Sequence, residues 1–134
     1  MKLQIGNSLI KKIFFFLLFS AYFSGGLNHF VMPEIYWPLI PPYLVYIEEL
    51  NLLSGVAEVV LALGLLFSAT RKLACYGIVA MLFAFLPSHI YFIEMGSCIS
   101  ESICFDPWVA WVRLIVIHPL LMYWAFAFRN YKLS

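Results

Sequence analysis

The chain predicts an all-α fold, a four-transmembrane-helix antiparallel bundle with both termini cytoplasmic, and three observations carry the prediction. First, 64% of its 134 residues are hydrophobic and 11% are charged, where soluble domains average ~45–50% and ~25%. Mean hydropathy is +0.94. Second, four apolar segments stand out, Ile13 to Leu27, Leu50 to Phe67, Leu73 to Ile93 and Trp108 to Phe128. Third, the connections between them alternate in charge: one set carries Lys and Arg, the other only Asp and Glu. No hydrophilic stretch is long enough to fold alone, so residues 1–134 read as one membrane-embedded domain. A net charge of +1 without a basic stripe argues against nucleic acid as a partner. The partner that the composition implies is the lipid bilayer.

A helix needs ~20 residues to cross ~30 Å of hydrocarbon. Extended by their apolar flanks, the four segments give helices over about 11–31, 47–67, 72–93 and 107–128. The first has a rival reading. Lys11-Lys12 followed by Ile-Phe-Phe-Phe-Leu-Leu-Phe, with small residues from Ser20 to Gly26, imitates a cleaved signal peptide and would leave three spans. Lys2, Lys11 and Lys12 precede span one, Arg71 and Lys72 join spans two and three, and Arg129 and Lys132 follow span four. The positive-inside rule assigns all of these to the cytoplasmic face of a membrane crossed in multiple passes.

The first outer connection, His29 to Tyr46, contains Pro33, Pro38, Pro41 and Pro42, which forbid a continuous helix. It reads either as a broken cap dipping into the outer surface or as an aromatic anchor belt built from Tyr36, Trp37, Tyr43 and Tyr46. The inner stretch Ser68 to Lys72 reads as a short turn closing an antiparallel hairpin of spans two and three. The second outer loop, Gly96 to Cys104, is polar and compact. Cys98 and Cys104 lie in it, where a disulfide closing the loop is expected in an oxidising compartment. A redox-active pair is the other reading, although C-x5-C is not the C-x-x-C spacing that tunes a thiolate.

Charged residues inside spans are rare and costly, which makes Glu58 and Arg113 candidates for a site. On span two, Asn51, Ser54, Gly55, Glu58 and Ala62 follow the spacing of one helix face. That stripe of small and polar residues suits close helix approach and points Glu58 into the protein. Counting from the inner charges places Arg113 at ~24 Å and Glu58 at ~20 Å from the inner face. Matching depth suggests an ion pair between them, either a lock between spans or part of a pocket. His29 and His89 come out at ~26 Å and His118 at ~16 Å. His118 is five residues after Arg113, roughly 140° around an α-helix, so the two are not expected to share a face. Next to Pro119, His118 reads as a hydrogen-bonded helix-contact residue. The three histidines lack H-x-x-x-H or E-x-x-H spacing, so no metal site is predicted. No G-x-S-x-G elbow, P-loop or Rossmann glycine pattern is present either.

Several ordered motifs belong together. They are Asn28-His29-Phe30 with Pro33 and Tyr36, Ile40-Pro41-Pro42-Tyr43, Leu53-Ser54-Gly55-Val56-Ala57-Glu58, and Phe85-Leu86-Pro87-Ser88-His89-Ile90-Tyr91, with Arg113 in the last span. Over about residues 20–128 this pattern resembles the DoxX family of small bacterial four-helix membrane proteins. The resemblance implies a multi-pass protein of the bacterial cytoplasmic (inner) membrane in redox or thiol homeostasis, with a quinone or a small sulfur species as ligand and a membrane or soluble oxidoreductase subunit as partner. The chain departs from the pattern at His89, where Asn is commoner, and at Ile117 or His118, where Gln is expected. The expected pocket comprises Glu58, Arg113, His29, His89, Tyr91, Ser54 and His118. The alternative is a non-catalytic assembly or scaffold protein in which Glu58 and Arg113 only lock helices together.

Overall fold

The computed structural model describes the backbone of residues 2–133 and the side chains from residue 8 to 133. Lys2, counted above among the orienting charges, has its side chain outside the described residues. Four helical stretches are long and apolar enough to cross a membrane, Ser8–Val31, Ile47–Leu66, Ser68–Glu94 and Pro107–Ala127. Two of the four are not single helices. The chain forms α1 (Lys2–Val31), α2 (Ile47–Leu66), α3 (Ser68–Ala84), α4 (Leu86–Glu94), a hairpin of β1 (Cys98–Ser100) and β2 (Ile103–Cys104), α5 (Pro107–Val112), a π-helical turn over Arg113–Ile117, and α6 (His118–Ala127).

Each departure from a plain helix has a local cause. Pro87 in the first turn of α4 has no N–H to give and its ring crowds the Phe83 carbonyl, so the third span breaks at Phe85. Pro119 crowds the Ile115 carbonyl in the same way, and the turn before it widens into the π form, the His118 N–H bonding to the Arg113 carbonyl. The expected inner turn from Ser68 to Lys72 is instead the first turn of α3. A single extended residue, Phe67, links α2 to it.

So tight a reversal leaves the last carbonyls of α2 without helical partners, and Arg71 fills the gap. Its guanidinium donates to Leu65 O at 2.7 Å, Leu66 O at 3.1 Å and Tyr131 O at 2.7 Å. It also lies over the Phe15 ring at 5.1 Å. Arg71, read from sequence as an orienting surface charge, is therefore a buried staple joining the α2 end to the C-terminal tail. Thr70 assists by donating its hydroxyl to Gly64 O at 2.8 Å.

Helix α1 packs on α2, α2 on α3, and α3 on α6. The α1–α2 crossing is close because glycines face it. A Cβ on Gly55 would stand 2.7 Å from His29 Cβ, and one on Gly26 would stand 2.9 Å from Gly55 O. Residues later in α1 meet residues earlier in α2, so these two helices run antiparallel. The apolar core occupies the half nearer the Arg71 end, formed by Phe15, Leu18, Leu65, Cys75, Ile78 and their neighbours. The other half encloses the polar residues.

Polarity is inverted relative to a water-soluble domain. His29, Asn51, Glu58, Arg71 and His118 are buried, while Leu53, Val60, Leu73, Ile115 and Leu120 are all more than half exposed. An exterior of that kind suits hydrocarbon.

Candidate functional site

Glu58 is buried where α1 crosses α2, and its neighbour is not the one its depth suggested. Its Oε1 lies 3.5 Å from His29 Nε2, the ion pair found among the described residues, so the expected Glu58–Arg113 pair is replaced by Glu58–His29. Side chains lean toward the N-terminus of their own helix. With α1 and α2 antiparallel, His29 leans toward Glu58 and Glu58 leans toward His29, which closes the difference in their depths. Gly25 completes the seat: a Cβ there would come 2.8 Å from Glu58 Oε2.

The protonation of this couple follows from its neighbours. Asn51 Nδ2 donates to the His29 carbonyl at 3.0 Å, which turns Asn51 Oδ1 toward His29 Nδ1 at 2.7 Å. An amide oxygen only accepts, so Nδ1 carries a proton. The remaining ring nitrogen, Nε2, faces Glu58, and attraction between the two requires one more proton shared between Nε2 and Oε1. The couple is thus a buried imidazole nitrogen facing a carboxylate oxygen at the chamber wall.

Two chambers meet at Glu58, Phe85, His89 and Arg113. One, of about 180 Å³, runs from Glu58 past His29, Asn51 and Ser54 to Tyr36, Leu39 and Ile40. The other, of about 250 Å³, runs past Tyr22 and Leu82 to Ile117, His118 and Leu121. The roof of the first comes from the proline-rich connection, which forms two 3-10 turns, Pro33–Ile35 and Trp37–Leu39. Tyr36 between them stacks on the His29 ring with centroids 3.7 Å apart, and its hydroxyl accepts from Asn28 Nδ2 at 2.9 Å. Trp37, Tyr43 and Tyr46 face outward. The segment thus divides into a chamber roof around Tyr36 and an exposed aromatic set, Trp37, Tyr43 and Tyr46.

The π turn changes the far wall. One α-helical geometry would separate Arg113 from His118, but the wider turn stacks them, and both line the second chamber. Arg113 is exposed and lines both chambers, which sets it at their mouth. Its guanidinium carbon lies 5.9 Å from the Phe92 ring centroid. His118 Nε2 donates to Leu82 O at 2.7 Å, the helix-contact role expected of it, and its ring meets His89 edge-on at 4.6 Å.

Of the expected pocket residues, Glu58, Arg113, His29, His89, Ser54 and His118 line one or both chambers. Tyr91 lines neither. Phe85, Ser88, His89 and Phe92 follow the three-and-four spacing of one face of α4, and Tyr91 lies off it. Asn51, Tyr36, Tyr22 and Phe92 complete the site and were not among the expected residues. Asn51 was legible, since it starts the polar stripe of α2. The buried Tyr22 hydroxyl has no hydrogen-bond partner among the described residues.

Beyond the chambers, at the end of the helices away from Arg71, Cys98 and Cys104 are joined by a disulfide. They face each other in the β1–β2 register, so the loop expected to be closed by a disulfide is also a paired hairpin. It packs against the 3-10 turn Trp37–Leu39 that roofs the first chamber. Among the described residues no three His, Cys, Asp or Glu side chains gather as a metal set would.

Residues 18–129 match the model of a protein family described as Domain of unknown function (DUF8561). The chain belongs to that family. The DUF8561 match covers both chambers, the last three spans and the first span from residue 18. No curated protein and no solved structure matches the chain. The resemblance to the DoxX family has no counterpart in these comparisons.

Proposed function

We propose that this DUF8561 member is a multi-pass inner-membrane protein that binds a quinone-like small molecule between its helices, as an accessory subunit of a membrane redox or thiol system. Both termini are cytoplasmic in this reading, because Lys11, Lys12, Lys72, Arg129 and Lys132 share one end of the helices. The observation that carries the ligand reading is a pairing at one cavity. A guanidinium with no acceptor among the described residues, Arg113, stands at the mouth, and the His29–Glu58 couple forms the inner wall. Reduction of a quinone carbonyl adds protons as well as electrons, so its site needs a cationic donor for the oxygen and a group that exchanges protons. Each chamber is smaller than the ~300–1,000 Å³ of sites for drug-sized ligands, which favours a single ring or a small sulfur oxyanion. Phe85, Phe92 and Tyr36 supply faces for a ring. The resemblance to DoxX proteins points to the same chemistry. An electron donor would come from a membrane or soluble oxidoreductase subunit.

The test is mass spectrometry of small molecules retained by the protein purified in mild detergent, followed by titration with a short-chain quinone. Arg113→Gln should weaken binding at least about tenfold, as expected for losing a hydrogen bond to a charged group. Equal binding by Arg113→Gln and wild type would overturn the ligand reading.

A second reading has its own observation. The His29–Asn51 hydrogen bonds and the His29–Glu58 ion contact tie α1 to α2, so the polar cluster serves a scaffold protein equally well, through Glu58–His29 in place of a Glu58–Arg113 lock. In that case the protein carries no ligand, and Arg113→Gln changes neither stability nor assembly.

A further inference from the structure

The end of the molecule opposite the chambers carries another cleft, of about 790 Å³, between the α2–α3 joint and the chain after α6. Four cationic side chains line it, Arg71, Lys72, Arg129 and Lys132, and among the described residues no acidic side chain does. Arg71 is fully engaged on backbone carbonyls. The other three are not. Lys72 and Lys132 are exposed, and neither takes part in the ion pair found among the described residues. Arg129 donates through Nη1 to Phe126 O at 2.9 Å, which leaves most of its five N–H groups available. Helix α3 also starts in this cleft, and its N-cap, Phe67, provides no side-chain bond to the first N–H groups. Those groups add partial positive charge to the cationic side chains.

What the cleft adjoins narrows the ligand. One turn along α3 from Lys72 is Tyr76, and one turn back along α6 from Arg129 is Phe126. Their rings meet edge to face at 6.2 Å, and both are exposed, 44% and 41%. The Arg129 guanidinium lies over the same Phe126 ring at 3.8 Å. A cationic cleft therefore opens directly onto an exposed aromatic seam between α3 and α6, at the end of helices whose outer surface is apolar. A free inorganic anion would use only the upper half of this arrangement. An amphiphile with an anionic head and hydrocarbon tails would use both.

We propose that the α3–α6 seam binds one anionic phospholipid, its phosphodiester held in the cleft by Lys72, Arg129 and Lys132 and an acyl chain lying on Tyr76 and Phe126. The site is independent of the cavity around Glu58 and of any ligand there.

Native mass spectrometry of the full chain in detergent, with phosphatidylglycerol, chain-matched phosphatidylcholine and inorganic phosphate as probes, tests it. Wild type should retain phosphatidylglycerol in preference to phosphatidylcholine. Each of Lys72→Gln and Lys132→Gln should weaken that binding about fivefold, the equivalent of ~1 kcal/mol for a cation near an anionic surface. Tyr76→Ala with Phe126→Ala should weaken retention of phosphatidylglycerol. Equal retention of the two lipids by wild type, or unchanged phosphatidylglycerol binding in the double lysine variant, would overturn the proposal. So would displacement by millimolar phosphate combined with indifference to the aromatic substitutions, which would mark a free-phosphate site. If a variant fails to fold, wild type alone decides, because the preference for the anionic lipid must fade as salt rises.

Discussion

His29 and Glu58 meet across the α1–α2 crossing, Nε2 to Oε1 at 3.5 Å, with Asn51 holding the other side of the imidazole at 2.7 Å. The histidine thereby joins two roles. Its backbone carbonyl and Nδ1 tie α1 to α2 through Asn51, and its Nε2 faces a buried carboxylate beside a cavity.

The structural half of that role is separable from the chemical half. Asn51→Leu removes both hydrogen bonds to His29 and leaves a buried carbonyl and ring nitrogen without partners. The expected loss is about 1–3 kcal/mol, read as a lower midpoint in thermal unfolding of the detergent-solubilised protein. Glu58→Gln keeps the volume above Gly25 and a hydrogen-bonding group for Nε2. It should cost less stability than Asn51→Leu while removing the shared proton.

Two glycines make opposite predictions from similar distances. A Cβ at Gly55 meets His29 Cβ at 2.7 Å and the Gly26 carbonyl at 3.0 Å, neither of which can yield without moving a helix. At Gly77 the first obstacle is Leu61 Cδ2 at 2.5 Å, the free end of a flexible side chain. Gly55→Ala should therefore destabilise by about 1–3 kcal/mol through overpacking, and it should disturb the His29–Glu58 contact. Gly77→Ala should be tolerated with a rotamer change at Leu61. Thermal midpoints of the two variants, compared side by side, check this; a reversed order would contradict the packing described.

Much of this was legible in the sequence, and the misses have physical causes. Hydropathy located four membrane-length stretches because a lipid-facing helix needs ~20 apolar residues whatever its neighbours. The small and polar stripe of α2 correctly turned Glu58 inward, since that follows from helical periodicity alone. Its partner did not follow. Depth counting matches levels along an axis but is blind to rotation about it, and the glycines at the crossing bring His29 rather than Arg113 against the carboxylate. Arg113 and His118 were assigned to separate faces on 3.6 residues per turn. Pro119 was visible, but whether a proline produces a kink or a π turn depends on contacts that periodicity does not encode. Arg71 looked like a surface charge because its three acceptors exist only once α2 has ended at Leu66.

Arg71 should be among the least replaceable residues of the protein. Its Nε and both amino groups satisfy carbonyls from two separate segments, Leu65–Leu66 and Tyr131. A lysine has a single ammonium group and lacks the planar fork. Arg71→Lys should lose about 2–3 kcal/mol, and Arg71→Ala more, with several buried carbonyls left unpaired. Limited proteolysis supplies the readout, because freeing Tyr131 exposes the C-terminal tail. Cleavage there in Arg71→Lys but not in wild type is the expected pattern.

The π turn offers a test of geometry without removing any polar group. Pro119→Ala restores an N–H that can bond to the Ile115 carbonyl and lifts the ring clash that widens the turn. The last span should then regain α-helical geometry through 113–118, and Arg113 should rotate away from His118. Stability should hold or rise slightly, while affinity for a short-chain quinone falls. Unchanged affinity alongside a regained α-helical bond from the residue 119 N–H would show that the π turn does not set the position of Arg113.

The disulfide-closed hairpin is testable through the accessibility of its thiols. Cys98 and Cys104 are joined to each other and Cys75 is buried within α3, so the folded protein should take up no maleimide until it is reduced. After reduction two thiols should label, and Cys75 should label only on unfolding. The disulfide closes a short loop, for which chain-entropy arguments give roughly 2 kcal/mol. Its global contribution to the four spans should be smaller, because a hairpin outside them can open by itself. Reduction should instead act nearby, loosening the turn Trp37–Leu39 against which the hairpin packs and with it the roof of the first chamber. Hydrogen exchange with and without reductant checks this directly. Faster exchange is expected at residues 37–40 and 97–105, with the amides around Glu58 unchanged. If exchange instead accelerates throughout α2, the hairpin is clamping the helices themselves and not only the roof.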